Sequence, residues 1–333
     1  MHLKNKTILI TGGTGSFGYN CVEEILRNHK PKKLIIFSRD EQKHFEMSQI
    51  YTEKKYPILR YFIGDVRDRD RVIRACADVD IIIHAAAIKH VSSAEYNPTE
   101  CIATNINGAQ NIIDAAIINN VDKIIAISTD KAANPINLYG ATKLCSDKLF
   151  VAANNLAGKH KSRFSVVRYG NVIGSRGSVI PYFKKLIAKG EKKLPITDVD
   201  MTRFVINLNN GVKFVIKSLK HMTGGEIFVP KLPSIKIIDL ASAMAGKNNY
   251  KIVGIRPGEK LHEVMIPKEE SLNCIEMKDY YIIQPMLSWW DRRNIKPEIK
   301  KNGKKIIKPF EYSSENNEKF LKINEIKKLI KNI

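Results

Sequence analysis

The stretch Thr7–Gly18, TILITGGTGSFG, decides the fold. Its first five residues are apolar or β-branched, as in a strand covered on both faces. Gly12, Gly15 and Gly18 follow at three-residue spacing, and the amphipathic segment SFGYNCVEEILRN begins at once. Glycine at these points allows a tight turn, close approach of backbone to a pyrophosphate, and close packing of helix on strand, with the helix N-terminus aimed at phosphate.

Outward from this loop the pattern repeats. KLIIF (33–37), RYFIG (60–64), DIIIHAA (80–86), KIIAIS (123–128) and SVVRYG (165–170) are nearly continuous in Val, Ile, Phe and Tyr, and helical segments such as TECIATNINGAQNIIDAAIINN and LYGATKLCSDKLFVAANNLAG separate them. Strict alternation implies an α/β protein with a doubly wound parallel sheet, right-handed crossovers, and ligands beyond the carboxyl ends of the strands. After about residue 171 the alternation gives way to Gly- and Pro-punctuated segments, NVIGSRGSVIPYF and PITDVDMTRF, then a helical stretch near 207–221 and the strand GEIFVP (225–230). The expected organisation is a dinucleotide-binding domain of residues 1–170 plus about 204–230. A smaller, discontinuous α/β substrate lobe takes about 171–203 and 231–290, and 291–333 form a Lys-rich C-terminal segment.

Composition excludes several classes. The apolar run after the basic start MHLKNK stops at glycine, short of a signal-peptide core, and no stretch approaches the roughly 18 apolar residues of a membrane span. A cytoplasmic protein is expected. The five cysteines, Cys21, Cys76, Cys101, Cys145 and Cys274, form no C-x-x-C pair and read as reduced thiols. Formal net charge is +21, yet the densest basic stretch, RRNIKPEIKKNGKKIIKPF, has almost no aromatic residues to stack on bases, so nucleic acid is not an expected partner. His84 and His90 lack a third ligand at suitable spacing, and HEVMI lacks the second His of a zinc helix, so no metal is expected.

The end of the second strand selects the nucleotide. A fold of this kind that takes NAD usually carries an acid there for the ribose 2′-hydroxyl. Here Ser38 and Arg39 occupy that point, with Lys43 one turn into the next helix. Arg39 can stack on adenine and donate to a 2′-phosphate, which favours NADP. Asp40 is open to two readings, a helix cap or a hydroxyl acceptor. Past the third strand, Asp65 and Val66 of GDVRD fall where an adenine amino group would lie.

After the fifth strand the sixteen residues Ser128–Lys143, STDKAANPINLYGATK, gather two lysines, a carboxylate and a phenol. Tyr139 and Lys143 are four apart at the start of a helix, hence one turn apart on one face. A phenol titrates near pH 10 unassisted. A neighbouring ammonium and a cationic nicotinamide would favour phenolate, suiting Tyr139 to take a proton from an alcohol as hydride leaves its carbon.

TGGTGSFG, GDVRD, HAAA and YGATK together resemble the extended short-chain dehydrogenase/reductase family. The resemblance implies a Rossmann fold in which Thr14, Ser16, Phe17, Ala85, Ala86, Lys89 and Asn105 join the residues above in cofactor binding, and Lys143 holds the ribose hydroxyls. Members that dehydrate nucleotide sugars with retention at C5 carry Thr-Asp-Glu ahead of the tyrosine. Thr129-Asp130-Lys131 is instead similar to the inverting 4,6-dehydratases of UDP-N-acetylglucosamine, and the likeness, spanning most of residues 7–270, extends to the short dehydratases that open pseudaminic acid synthesis.

That resemblance implies roles. Tyr139 takes the C4-hydroxyl proton, Thr129 orients that hydroxyl, Asp130 is the acid toward the departing C6 oxygen, and Lys131 abstracts the C5 proton. A neutral amine is needed for the last role, and burial beside Lys143 and the nicotinamide is expected to depress Lys131. Tyr139 is the first choice for returning a proton to C5. Lys89, His90, Asn171, Arg203, Arg256 and Glu259 stand in the segments that members use for the UDP-sugar, Arg suiting a diphosphate through its two-pronged fork. Homo-oligomers, dimers that build hexamers, are expected through the helices near 98–118 and 139–157. Epimerisation or simple oxidation on the same fold would need Tyr139 and Lys143 but has no use for Asp130 and Lys131.

Overall fold

The structure, a computed structural model, describes residues 2–175, 177–286, 290 and 295–331. Strands β1 (Thr7–Thr11), β2 (Lys33–Ser38), β3 (Leu59–Ile63), β4 (Ile81–His84), β5 (Lys123–Thr129) and β6 (Arg163–Tyr169) lie in the order 3-2-1-4-5-6, and Ile227–Pro230 continues the parallel run beside β6. Every residue of β1 is buried, the consequence of helices covering both sheet faces. Strand order reverses between β1 and β4, which opens a crevice at their carboxyl ends.

Helix α1 (Ser16–Asn28) buries Gly18, Cys21, Val22 and Ile25, one stripe at helical spacing. Burying a side chain the size of Ile25 stabilises the fold by about 1.5–3 kcal/mol. The glycine loop ahead of α1 has no room for side chains at its ends. Gly12 has φ +65°, and a Cβ there would lie 2.9 Å from the Ala86 amide; one on Gly18 would lie 2.5 Å from Gly13 Cα.

The sheet does not stop at 230. Tyr280–Ile283 adds antiparallel to Ile227–Pro230, followed by Cys274–Glu276 and Lys304–Lys305. Residues that the sequence grouped with the substrate lobe and the basic tail therefore close one edge of the main sheet. Their strands are two to four residues long, too short for a period-2 pattern to stand out.

The smaller lobe contains Asn171–Ile173, Thr202–Asn207 and Ser234–Lys236 in one sheet and Leu194–Ile196 with Tyr250–Ile252 in another. Its core includes Ile180, Phe183, Leu194, Ile196, Leu240 and Ile326. Residues 204–207 thus pair in this lobe's sheet, while Phe204 and Ile206 turn their side chains into the main core. Ile326 arrives on the terminal helix Ile323–Lys331, so that segment is part of the lobe; Arg292 and Arg293 of the basic run lie outside the described residues.

Candidate active site

The crevice at the switch point holds the expected cofactor residues. A cavity of about 140 Å³ is lined by Gly12, Ser38, Arg39, Asp65, Val66, Ala86 and Thr104, among others. Thr14 donates to Ser38 Oγ at 2.8 Å, tying the glycine loop to the end of β2. Arg39 lies 3.6 Å from Asp65 across the mouth. The double reading of Asp40 resolves toward a cap: its carboxylate accepts from the Lys43 amide at 3.0 Å and pairs with the Lys43 ammonium. Lys43 is thereby drawn to Asp40 as well. Ser16 and Phe17 open α1 beside Gly15, and Phe17 stacks on Tyr169 with 6.5 Å between ring centres. Asn105 holds the loop after β4 by exchanging two hydrogen bonds with Ile88, at 2.9 and 3.0 Å, and also donates to Thr142 at 3.0 Å. It sits in a π-helical turn, Ala103–Asn107, a form that recurs at functional sites.

β5 ends at Thr129, and a single 3₁₀ turn, Asp130–Ala132, follows. Asn137 then caps the helix Leu138–Leu156 by accepting from the Gly140 amide at 2.7 Å. Gly140 presses on that turn, since a Cβ there would lie 2.2 Å from the Lys131 carbonyl oxygen. Only glycine allows this contact, which brings Tyr139 against Thr129. Asp130 is fully buried, its Oδ1 accepting from Thr129 Oγ1 at 3.0 Å and from Lys131 Nζ at 3.1 Å. Tyr139 and Lys143 are buried on the same helix.

Electrostatics corrects one expectation. Burial works to strip Lys131 of its proton, but the Asp130 and Glu263 carboxylates outweigh it and hold the ammonium well above the ordinary lysine range. The depressed, neutral Lys131 foreseen from sequence is therefore not its resting state, because Glu263 Oε1 lies 2.9 Å from Nζ. Burial raises Asp130, with Glu263 adding to it and Lys131 opposing. Burial also pushes the Tyr139 phenol up to about 12, against the pull of Lys131 and a hydrogen bond from Thr129. The lowered phenol foreseen from a neighbouring ammonium and a nicotinamide is therefore not what the chain alone produces: Lys131 pulls it down, but burial outweighs that pull. Burial lowers Lys143 itself, with Asp147 opposing.

The substrate-side residues divide. Lys89 and His90 follow β4, both lowered chiefly by burial, and His90 packs on Gly177 of the smaller lobe, where a Cβ would lie 2.2 Å from its Cε1. Asn171 leaves Oδ1 buried without a hydrogen-bond partner. Arg256 and Glu259 pair with each other, and Glu259 also accepts from Thr197 at 3.3 Å. Arg203 donates to the carbonyls of Thr202, Leu261 and Lys260 at 2.7–2.9 Å, so the fork offered to a diphosphate is engaged inside the protein. Glu263 has no role in the sequence reading, which assigns none to the glutamate of HEVMI. Among the described residues no cluster of His, Cys, Asp and Glu could hold a metal, and no helix is long and apolar enough to cross a membrane.

Residues 8–285 match the family described as "Polysaccharide biosynthesis protein". The chain is 57% identical over 327 residues, 98% of its length and 97% of the relative's, to "UDP-N-acetylglucosamine 4,6-dehydratase (inverting)" of Campylobacter jejuni subsp. jejuni. It is 41% identical over 337 residues, covering 99% and 96%, to "UDP-glucose 4-epimerase" of Rickettsia bellii. Among solved structures, Pen from Bacillus thuringiensis superposes with a TM-score of 0.89 at 38% identity, covering 100% of both chains.

Proposed function

The chain belongs to the polysaccharide biosynthesis protein family of extended short-chain dehydrogenases/reductases, and on that premise we propose that it is a configuration-inverting UDP-N-acetylglucosamine 4,6-dehydratase using NADP. The observation that carries the reading is the ion pair of buried Asp130 with part-buried Lys131 beside Tyr139, since oxidation or epimerisation at C4 has no work for it. The C. jejuni relative carries the same activity in its name. Gly12, Gly18, Ser38, Arg39 and Asp65 form a cradle that suits a dinucleotide, and Ser38 with Arg39 in place of an acid favours the 2′-phosphate. The chemistry that a nicotinamide would supply when held there is reversible hydride transfer, from C4 and back to C6.

The chain's own residues do the rest. As the phenolate that a bound cationic nicotinamide would favour, Tyr139 accepts the C4-hydroxyl proton while Thr129 orients that hydroxyl. The ketone acidifies C5. Elimination then needs an acid for the C6 oxygen and a base for C5, whereas the resting pair is carboxylate and ammonium. Passing one proton from Lys131 Nζ to Asp130 Oδ1, along the 3.1 Å contact, supplies both at once with no change in net charge. Lys131 then takes the C5 proton, Asp130 gives its proton to the departing oxygen, and water leaves. Reprotonation of C5 from the opposite ring face, with Tyr139 as donor, inverts it. Lys89, His90, Asn171, Arg256 and Glu259 face the UDP-sugar, with Arg203 supporting the site from beneath.

The product is a 4-keto-6-deoxy amino sugar, which we assign to the opening of pseudaminic acid synthesis in the cytoplasm. The exposed Ile102, Ile118 and Leu156 support a homo-oligomer built through the helices near 98–118 and 139–157. The R. bellii relative's name favours a second reading, C4 epimerisation. Incubating the protein with NADP and UDP-N-acetylglucosamine discriminates: dehydration removes the mass of one water and NMR reads inverted C5, whereas epimerisation leaves the mass unchanged.

A further inference from the structure

Glu263 has no part in the roles above, yet it is 1% exposed and touches the reacting turn. It directly precedes Val264–Ile266, a strand paired with Tyr312–Ser313 near the C-terminus. Its backbone is fixed at both polar groups: the amide donates to Ser314 Oγ at 2.9 Å, and the Ser314 amide donates to its carbonyl at 2.7 Å. Ser314 Oγ is itself 2.7 Å from Thr202 Oγ1. The carboxylate is thus built in rather than draped.

Four charges meet there. Lys131 Nζ lies between Asp130 Oδ1 at 3.1 Å and Glu263 Oε1 at 2.9 Å, and Arg203 Nε lies 3.7 Å from the same Glu263 oxygen. Two cations and two anions make a neutral quartet, which lowers the cost of burying them. A structural quartet would satisfy every oxygen. Asp130 Oδ2 and Glu263 Oε2 are instead both buried without a hydrogen-bond partner among the described residues.

We infer that Glu263 is a positioning residue for the dehydration: it holds Lys131 Nζ in line with Asp130 Oδ1, so that the pair keeps and shares one proton. The inference rests on the reading of Asp130 and Lys131 as acid and base. In the transfer the N–H bond at Lys131 breaks and an O–H bond forms at Asp130, while Glu263 stays ionised and keeps its contact with Nζ. Lys131 and Arg203 hold Glu263 below the ordinary carboxylate range against the effect of burial. The charged and titratable groups facing the pair are Thr129's neighbour Tyr139 from the helix, Arg203 from its strand, and Lys260 and Glu263 from the following segment. Lys260 donates to the Ala133 carbonyl at 2.8 Å. Only Glu263 among these adds negative charge to the pair. Removing that charge lowers both steps in which the pair, titrating as a unit, binds its protons.

The test is kcat against pH for the full-length parent, Glu263→Gln and Glu263→Asp, with thermal unfolding of each. For Glu263→Gln, kcat falls by about ten- to hundredfold, within what general acid–base catalysis contributes; KM changes little, and both limbs of the bell move to lower pH. Glu263→Asp keeps the charge but withdraws it, so its limbs move less than those of Glu263→Gln while kcat falls. A Glu263→Gln enzyme with parental kcat and pH profile overturns the inference, as does parental kcat in Glu263→Asp, which decides alone should the Gln variant not fold. If the parent itself removes no water, the functional reading has failed; if the parent dehydrates and these variants match it, only the assignment of Glu263 has.

Discussion

Replacing Lys131 with Met removes the ammonium and leaves two carboxylates buried beside one arginine. Lys131 Nζ lies 3.1 Å from Asp130 and 2.9 Å from Glu263, and its side chain is 21% exposed. At an effective dielectric of about 20, each contact is worth about 5 kcal/mol before desolvation is subtracted. Deleting one partner of a buried pair costs about 3–5 kcal/mol, and the low end applies because Arg203 still faces Glu263. A loss of about 3 kcal/mol lowers the Tm of a chain this size by about 4 °C. The pH dependence has a definite sign. Without Lys131, Asp130 and Glu263 titrate in the folded state above their unfolded values. Between those values the folded chain holds more protons than the unfolded one, so stability falls as pH rises. The deficit relative to the parent is therefore largest near neutrality and shrinks toward about pH 5. Calorimetry of both proteins across that interval measures it. Equal Tm values at neutral pH, or a deficit that grows on acidification, would refute the reasoning.

Asp130→Asn removes the acid proposed to meet the departing C6 oxygen. It should leave C4 oxidation running and stop water loss, so mass spectrometry of quenched reactions finds a ketone of the substrate that retains its C6 oxygen; normal product yield would remove Asp130 from the mechanism. Arg39→Ala should weaken NADP about tenfold, one exposed charged contact, and leave NAD binding nearly unchanged. Isothermal titration with each dinucleotide checks this, and an equal loss for both would argue against a 2′-phosphate contact.

How much of this was readable in the sequence depends on how local each feature is. The glycine loop and the segment Thr129–Lys143 announce themselves because their residues act within one turn of each other: Gly12 must take a positive φ, and Tyr139 and Lys143 share a helix face. The parallel sheet is legible for the same reason, one apolar run at a time. The protonation of Lys131 is not local. Lys143 is visible twelve residues on and suggests a depressed amine, but the decisive neighbour, Glu263, reaches the turn through packing that no spacing rule foretells. Arg203 fails similarly, since its donors are taken by carbonyls of residues 260–261 that only the folded chain brings near it. The strands at 274–283 join the main sheet through partners remote in sequence, and their three- and four-residue lengths conceal any period.

The central claim is that one hydride leaves C4 and comes back to C6 of the same sugar while Lys131 and Asp130 remove water between. UDP-N-acetylglucosamine carrying deuterium at C4 tests it in a single NMR experiment. The account predicts the deuterium in the new C6 methyl group, with the C5 position inverted. Deuterium lost to solvent, or retained at C4 of a sugar that still holds its C6 hydroxyl, would contradict it.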